Sequence, residues 1–159
     1  MMEIIETKVY NFEELDDSAK DRARDWYKQG LDYYWWNDAK TSIDAFCKEF
    51  GVKVKDYSVG AFAPSFIDTT AETHHFRGLK LKQYDATQMP TGYYLDCTLW
   101  TTFVDVWQKT GSALKAFNEA IDEALKDIVR DWEYQYSDES VDEVLIINGY
   151  TFTEDGKRF

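Results

Sequence analysis

Four carboxylates recur at every fourth residue late in the chain: Glu119, Glu123, Asp127 and Asp131. On a helix each step of that row advances about 6 Å, close to the spacing of phosphates along one nucleic-acid strand. A negative row with this repeat suits a protein groove whose Lys and Arg side chains otherwise hold phosphates. The row also has a plainer reading, as a solvated helix face. Like charges at i,i+4 destabilise a helix by roughly 0.2–0.5 kcal/mol per pair, and nearby bases offset them. Lys126 follows Asp122 by four residues and Glu123 by three, and Arg130 follows Asp127 by three. Much of the ridge can therefore be neutralised in place.

Other reactive residue types are sparse or badly spaced. His74 and His75 are the only histidines. They fall in a stretch that reads as a strand, where neighbours point to opposite faces and cannot readily chelate one ion. No metal site is expected. Cys47 lies on an apolar helix face and Cys97 in a strand-like run, so both read as small core residues without a disulfide. The chain has no Gly-rich phosphate loop, no Cys-x-x-Cys and no serine elbow. Its thirty acids offer many carboxylate pairs, and no motif selects one. No catalytic residue, no enzyme activity and no cofactor is expected. The dense run Tyr33-Tyr34-Trp35-Trp36 has a different interest. Successive helical residues are turned by about 100°, so at least one large ring lies near the surface. Trp36 is that candidate, either packed under a neighbouring loop or serving recognition.

The elements that would position these residues follow from periodicity. In residues 112–136, Leu114, Phe117, Ile121, Leu125, Ile128 and Trp132 form one apolar stripe. Gly111 breaks the chain before it and Ser112 is a natural N-cap. The resulting helix, roughly 35 Å long, carries the carboxylate row on its outer surface. Upstream, residues 3–10 read as a first strand, and a helix capped at Asp17 or Ser18 runs to Gly30. A second helix is predicted over residues 31–50, with Trp35, Ala39, Ile43, Phe46 and Phe50 on one side and Gly51 closing it. Residues 52–59 and 74–83 read as strands around a loop at 60–73 that contains Pro64. Residues 84–92 form a polar connection. Residues 93–107 read as a long strand with a bulge near Thr101-Thr102. A short helix with Val141, Val144 and Leu145, then an extended Tyr150–Phe152, complete the pattern. The predicted fold class is α+β, an antiparallel sheet of about four to five strands with amphipathic helices packed on one face.

Size and composition place limits on function. The 159 residues suit a single domain, 1–159, with a real core. Aromatics make up 17% of the chain, which argues against disorder despite the heavy charge. No stretch reaches the roughly 20 apolar residues of a membrane span, and the opening residues lack the pattern of a signal peptide. A cytoplasmic location, with no membrane partner, is the expectation. The net charge is −12. Residues 1–50 hold 12 acids against 7 bases, residues 51–111 hold 6 of each, and residues 112–159 hold 12 against 5. The acidity belongs to the two ends. Direct nucleic-acid binding is not expected, because phosphate contacts need Lys and Arg. The expected partner is a protein with a basic surface.

The two ends also carry a resemblance. Lys8-Val9-Tyr10, Phe12-Glu13-Glu14-Leu15 and Ala19 to Tyr27, together with Ser137 to Glu143 and Asn148 to Phe159, resemble a family of small proteins encoded by tailed bacteriophages and prophages. Members of it often bear the label "antitoxin of toxin–antitoxin stability system". The aromatic cluster at 33–36 fits as well, whereas residues 59–73 depart from that family's Gly-rich centre. The resemblance implies phage origin and an accessory role in the bacterial host cell. Combined with the acidic ends, it suggests inhibition of a host factor such as a nucleic-acid-binding defence complex, in the manner of an anti-CRISPR protein or a DNA mimic. The alternatives are an antitoxin that neutralises a toxin protein, or a virion or assembly component. Glu119, Glu123, Asp127, Asp131 and Trp36 are the candidate partner-binding residues.

Overall fold

The stripe at 112–136 does form a long helix. In a computed structural model describing all residues 1–159, this helix (α4) spans Ala113–Gln135. Ser112 caps it, its hydroxyl accepting the Lys115 N–H at 3.2 Å. The buried side includes Phe117, Ile121 and Ile128, as predicted, but also Ala113, Ala116, Ala120 and Ala124. These four small residues let neighbouring side chains approach the helix closely. Leu114, Leu125 and Trp132 are only half-buried.

The predicted four-to-five-stranded sheet does not form. Helices, short 3-10 turns included, take about 54% of the chain, and the four strands make two separate two-stranded sheets. The largest correction falls on residues 93–107, which are helical: α3 spans Leu95–Thr110. Its Thr, Val and aromatic content favours a strand. Yet Leu95, Leu99, Trp100 and Phe103 recur at three- and four-residue steps, and all four are buried on one side. Burial of that face outweighs the weak local preference. Gly111, left-handed at φ 71°, ends the helix, a conformation that favours glycine. Residues 74–83 are likewise not a strand. They contain two short 3-10 turns, Thr73–Phe76 and Leu81–Gln83, on either side of Gly78. Of the predicted first strand only its end survives, as β1 (Tyr10–Asn11), and residues 1–9 are exposed without regular structure.

By its contacts the chain divides into two compact units. A terminal unit combines Met1–Asp32 with Glu133–Phe159, and a central unit comprises Tyr33–Trp132.

In the terminal unit, α1 (Asp17–Gln29) starts at Asp16, one residue before the predicted cap, where the carboxylate accepts the Ala19 N–H at 2.8 Å. Helix α5 (Asp138–Ile147) starts at Ser137, whose hydroxyl accepts the Ser140 N–H. Ala19 and Ala23 of α1, Val141 and Leu145 of α5, and Phe12, Leu15 and Phe152 make a small separate core. Strand β1 pairs antiparallel with the last strand (Thr151–Phe152), matching Tyr10 with Phe152. Arg24 clamps α1 to α5 through a two-pronged contact with Asp142, Nε to Oδ1 at 2.7 Å and Nη2 to Oδ2 at 2.8 Å. Residues far apart in sequence thus meet in one fold.

The central unit is built on aromatic rings. Helix α2 spans Trp36–Glu49, five residues shorter at its start than predicted, with Phe50 as its C-cap and left-handed Gly51 after it. Phe46 of α2 stacks on Phe117 of α4 at 5.0 Å and meets Trp100 and Phe103 of α3 edge-on at 4.9 and 5.7 Å. Strands β2 (Val54–Ser58) and β3 (Phe66–Thr69) form a hairpin, β3 lying inside the predicted loop. Val54 and Ile67 pack against the core.

Each core has a residue that tests it. Phe46→Ala removes a ring shared by three helices, and a loss of about 3–5 kcal/mol is expected in chemical denaturation. In the terminal unit, a Cβ on Gly156 would lie 2.2 Å from the carbonyl oxygen of Ala19, at a left-handed φ of +88°. For Gly156→Ala, backbone strain of roughly 1–3 kcal/mol adds to that clash. The expected result is a lower melting temperature with early loss of the Trp26 signal.

Candidate functional site

The carboxylate row begins with helix geometry and ends in a polar network. Glu119, Glu123, Asp127 and Asp131 fall along one side of α4, but none is on its most exposed line. That line is Lys115, Asn118, Asp122, Lys126 and Arg130, and the four acids are half-buried on the shoulder beside it. The stripe of alanines explains the offset. It shifts the buried arc toward Ala116, Ala120 and Ala124, and Glu119, Glu123 and Asp127, three residues on from these alanines, come to the edge of the core, as does Asp131 three residues after buried Ile128.

The two halves of the row behave differently. Asp127 accepts a short hydrogen bond from the Thr98 hydroxyl of α3, and Arg130 lies 3.5 Å from its other oxygen. Asp131 accepts from the Tyr33 hydroxyl at 2.8 Å. The Tyr94 hydroxyl is 3.3 Å from that of Tyr33. Because the Tyr33 proton goes to Asp131, Tyr94 is the donor of the pair. Tyr33 is 3% exposed and stacks on Trp132 at 5.1 Å. The C-terminal half of the row is therefore anchored within the central unit. At the other half, Glu123 meets Lys126 at 3.2 Å with 43% of its side chain exposed, and Glu119 makes no ion pair. Only Glu119 and Glu123 remain available to an incoming cation.

Burial, then its bonds to Tyr94 and Asp131, hold the Tyr33 phenol well above the usual tyrosine range. Tyr94 is raised too, again chiefly by burial. Both stay neutral donors at physiological pH.

The remaining candidates scatter. Trp36 is half-buried at the start of α2, its ring 5.2 Å from that of Tyr57. The exposed rings of the cluster are its neighbours Tyr34, 78% exposed, and Trp35, 53%. His74 and His75 share one turn with ring centroids 4.1 Å apart, and the His74 Nδ1 lies 3.2 Å from the Glu72 carboxylate. They are therefore neighbours on a 3-10 turn, not strand residues on opposite faces, although no group of three or more His, Cys, Asp or Glu is placed to hold a metal ion. Cys47 is buried and its thiol is pushed up to about 12, mainly by that burial, so it is unreactive. Cys97 is exposed on α3 rather than in the core. Tyr33, Tyr94 and Thr98 were missed by periodicity. The signal for the last two was their four-residue spacing, hidden by reading that stretch as a strand.

No protein-family model, curated protein or solved structure matches this chain. No helix is long and apolar enough to cross a membrane.

The network predicts an alkaline weakness. A buried phenol with a raised value binds its proton where the unfolded chain has released it, so it stabilises the fold below the ordinary tyrosine value and less above it. Unfolding free energy should fall as pH rises past about 10. Tyr33→Phe should flatten that fall, read from urea midpoints between pH 8 and 11. An unchanged slope would remove Tyr33 from the network's energetics.

Proposed function

We propose that this chain is an acidic inhibitor that occupies a phosphate-binding, Lys/Arg-lined surface on a partner protein. The observation that carries this reading is the pair Glu119 and Glu123, the half of the carboxylate row that the fold does not anchor, on a single continuous helix of 23 residues. A continuous helix holds their separation of about 6 Å without further ordering on binding, which favours association.

The charge distribution supports it. The two acidic ends of the sequence gather into one unit. Met1–Asp32 with Glu133–Phe159 holds 16 acids against 7 bases, a net −9, while Tyr33–Trp132 holds 14 against 11, a net −3. The terminal unit supplies long-range attraction for a basic surface and speeds encounter. Glu119 and Glu123 supply the close contacts. Asp127 and Asp131, held by Thr98 and Tyr33, keep the helix in position.

The setting follows from the resemblance at residues 8–27 and 137–159, all of which fall in the terminal unit. It supports a phage-encoded accessory protein acting in the cytoplasm of a bacterial host, with a nucleic-acid-binding defence complex as the target class.

The test is capture from bacterial lysate at low salt with the intact chain as bait, followed by competition with duplex DNA. The expected partner is a basic nucleic-acid-binding protein released by DNA and by salt. Glu119→Gln with Glu123→Gln should lower the association rate severalfold while leaving the thermal melt unchanged, since Gln keeps good helix propensity. Recovery of no basic partner would overturn the reading. A captured toxin that DNA does not displace would move it to the antitoxin class.

A further inference from the structure

The segment ahead of β1 carries strand-forming residues that lie outside any sheet. Ile4, Ile5, Thr7 and Val9 are β-branched, a type that favours strands. Yet residues 1–9 have no regular structure, and pairing with the last strand begins only at Tyr10. Ile4 and Ile5 are 82% and 83% exposed, and Val9 is 43% exposed.

The order of these residues is self-complementary. Laid antiparallel on itself with Thr7 opposite Thr7, the segment sets Glu6 opposite Lys8, Ile5 opposite Val9 and Ile4 opposite Tyr10. Each pair occurs twice, once on either side of a two-fold axis. Opposite charges and apolar side chains that face each other directly both stabilise a strand pair. Neighbouring registers lose this match. A shift of one residue sets Ile5 against Lys8 or Glu6 against Val9, and a shift of two sets Glu6 or Lys8 against itself. Parallel in-register pairing sets both charges against themselves. We infer that residues 4–10 are a dimerisation strand, pairing antiparallel with the same segment of a second copy of this chain, independently of any basic partner.

The fold offers a place for this ribbon. Strand β1 is paired on one side only, by the last strand, and such an edge can take an added strand through main-chain hydrogen bonds. Tyr10 packs against the small core of the terminal unit, so Ile4 of the second copy meets an apolar ring already held in place. Two short strands alone are marginal in water, but here the last strand of each copy supports one end of the ribbon. The net charge of −12 opposes association, and salt screens that repulsion.

The measurement is sedimentation equilibrium of the full chain at physiological ionic strength over a wide concentration range. A reversible monomer–dimer equilibrium is expected. Glu6→Lys, and separately Lys8→Glu, turns two attractive pairs into two repulsive ones and should weaken the dimer about tenfold. For Glu6→Lys, overall charge repulsion alone predicts the reverse, because that change makes the chain less negative. The variant with both changes restores the pairs and should dimerise like the unaltered protein. Mixed in equal amounts, the two single variants should form a heterodimer, since each then meets its opposite. Glu6 and Lys8 are exposed, so the fold survives these changes, and unchanged thermal melts check this. A chain that stays monomeric at every concentration would overturn the dimerisation strand. So would a dimer that the single variants leave unaltered, or that the double variant fails to restore.

Discussion

One ring holds the central unit together. Phe46 contributes from α2, and within about 6 Å of its centroid lie Phe117 of α4 and Trp100 and Phe103 of α3. No strand or loop could substitute, because these contacts join three helices at one point. Once Phe46 is packed, the arc of α4 that faces inward is fixed, and so is the arc facing out. The half-buried position of the carboxylate row follows from this packing. So does the placing of Thr98 and Tyr94 on the side of α3 that meets Asp127 and Tyr33.

Aromatic packing of this density has a counterpart at the junctions of the central unit. Tyr33 and Trp132, its first and last residues, stack with an interplanar angle of 15°. On the terminal side, the Tyr136 hydroxyl donates to the Leu31 carbonyl at 3.3 Å. The chain is thus tied where it enters and where it leaves. Each unit is closed on its own, with contacts between residues more than 95 positions apart.

The sequence disclosed some of this and hid the rest for identifiable reasons. Helix α4 was legible because a clean stripe, a breaker and a cap agree. Helix α1 was displaced by one residue because Asp16, Asp17 and Ser18 are all good caps, and only the Ala19 N–H contact chooses among them. Helix α3 was unreadable locally. Tyr93, Leu95, Cys97 and Leu99 alternate as a strand should, and Leu95, Leu99 and Phe103 recur as a helix should. Only the presence of Phe46 and Phe117 opposite decides. The four acids were found as a row, yet their division into an anchored and an available half depends on α3, so it was lost with that helix. The pairing of β3 with β2 could not be seen either, since β3 is four residues long and lies beside a proline-containing loop.

The insertion of one unit within the other has a consequence for how the protein is made. A ribosome delivers residues in order, so α1 emerges while its partner α5 does not yet exist. The 100 residues of Tyr33–Trp132 intervene, which at roughly 5–20 residues per second is a delay of about 5–20 s. During that interval the central unit can complete its core, whereas Phe12, Leu15, Ala19 and Ala23 have nothing to pack against. The α1 segment, made well before α5, is among the last to reach its native contacts, and its excess of acids over bases favours solubility while it waits.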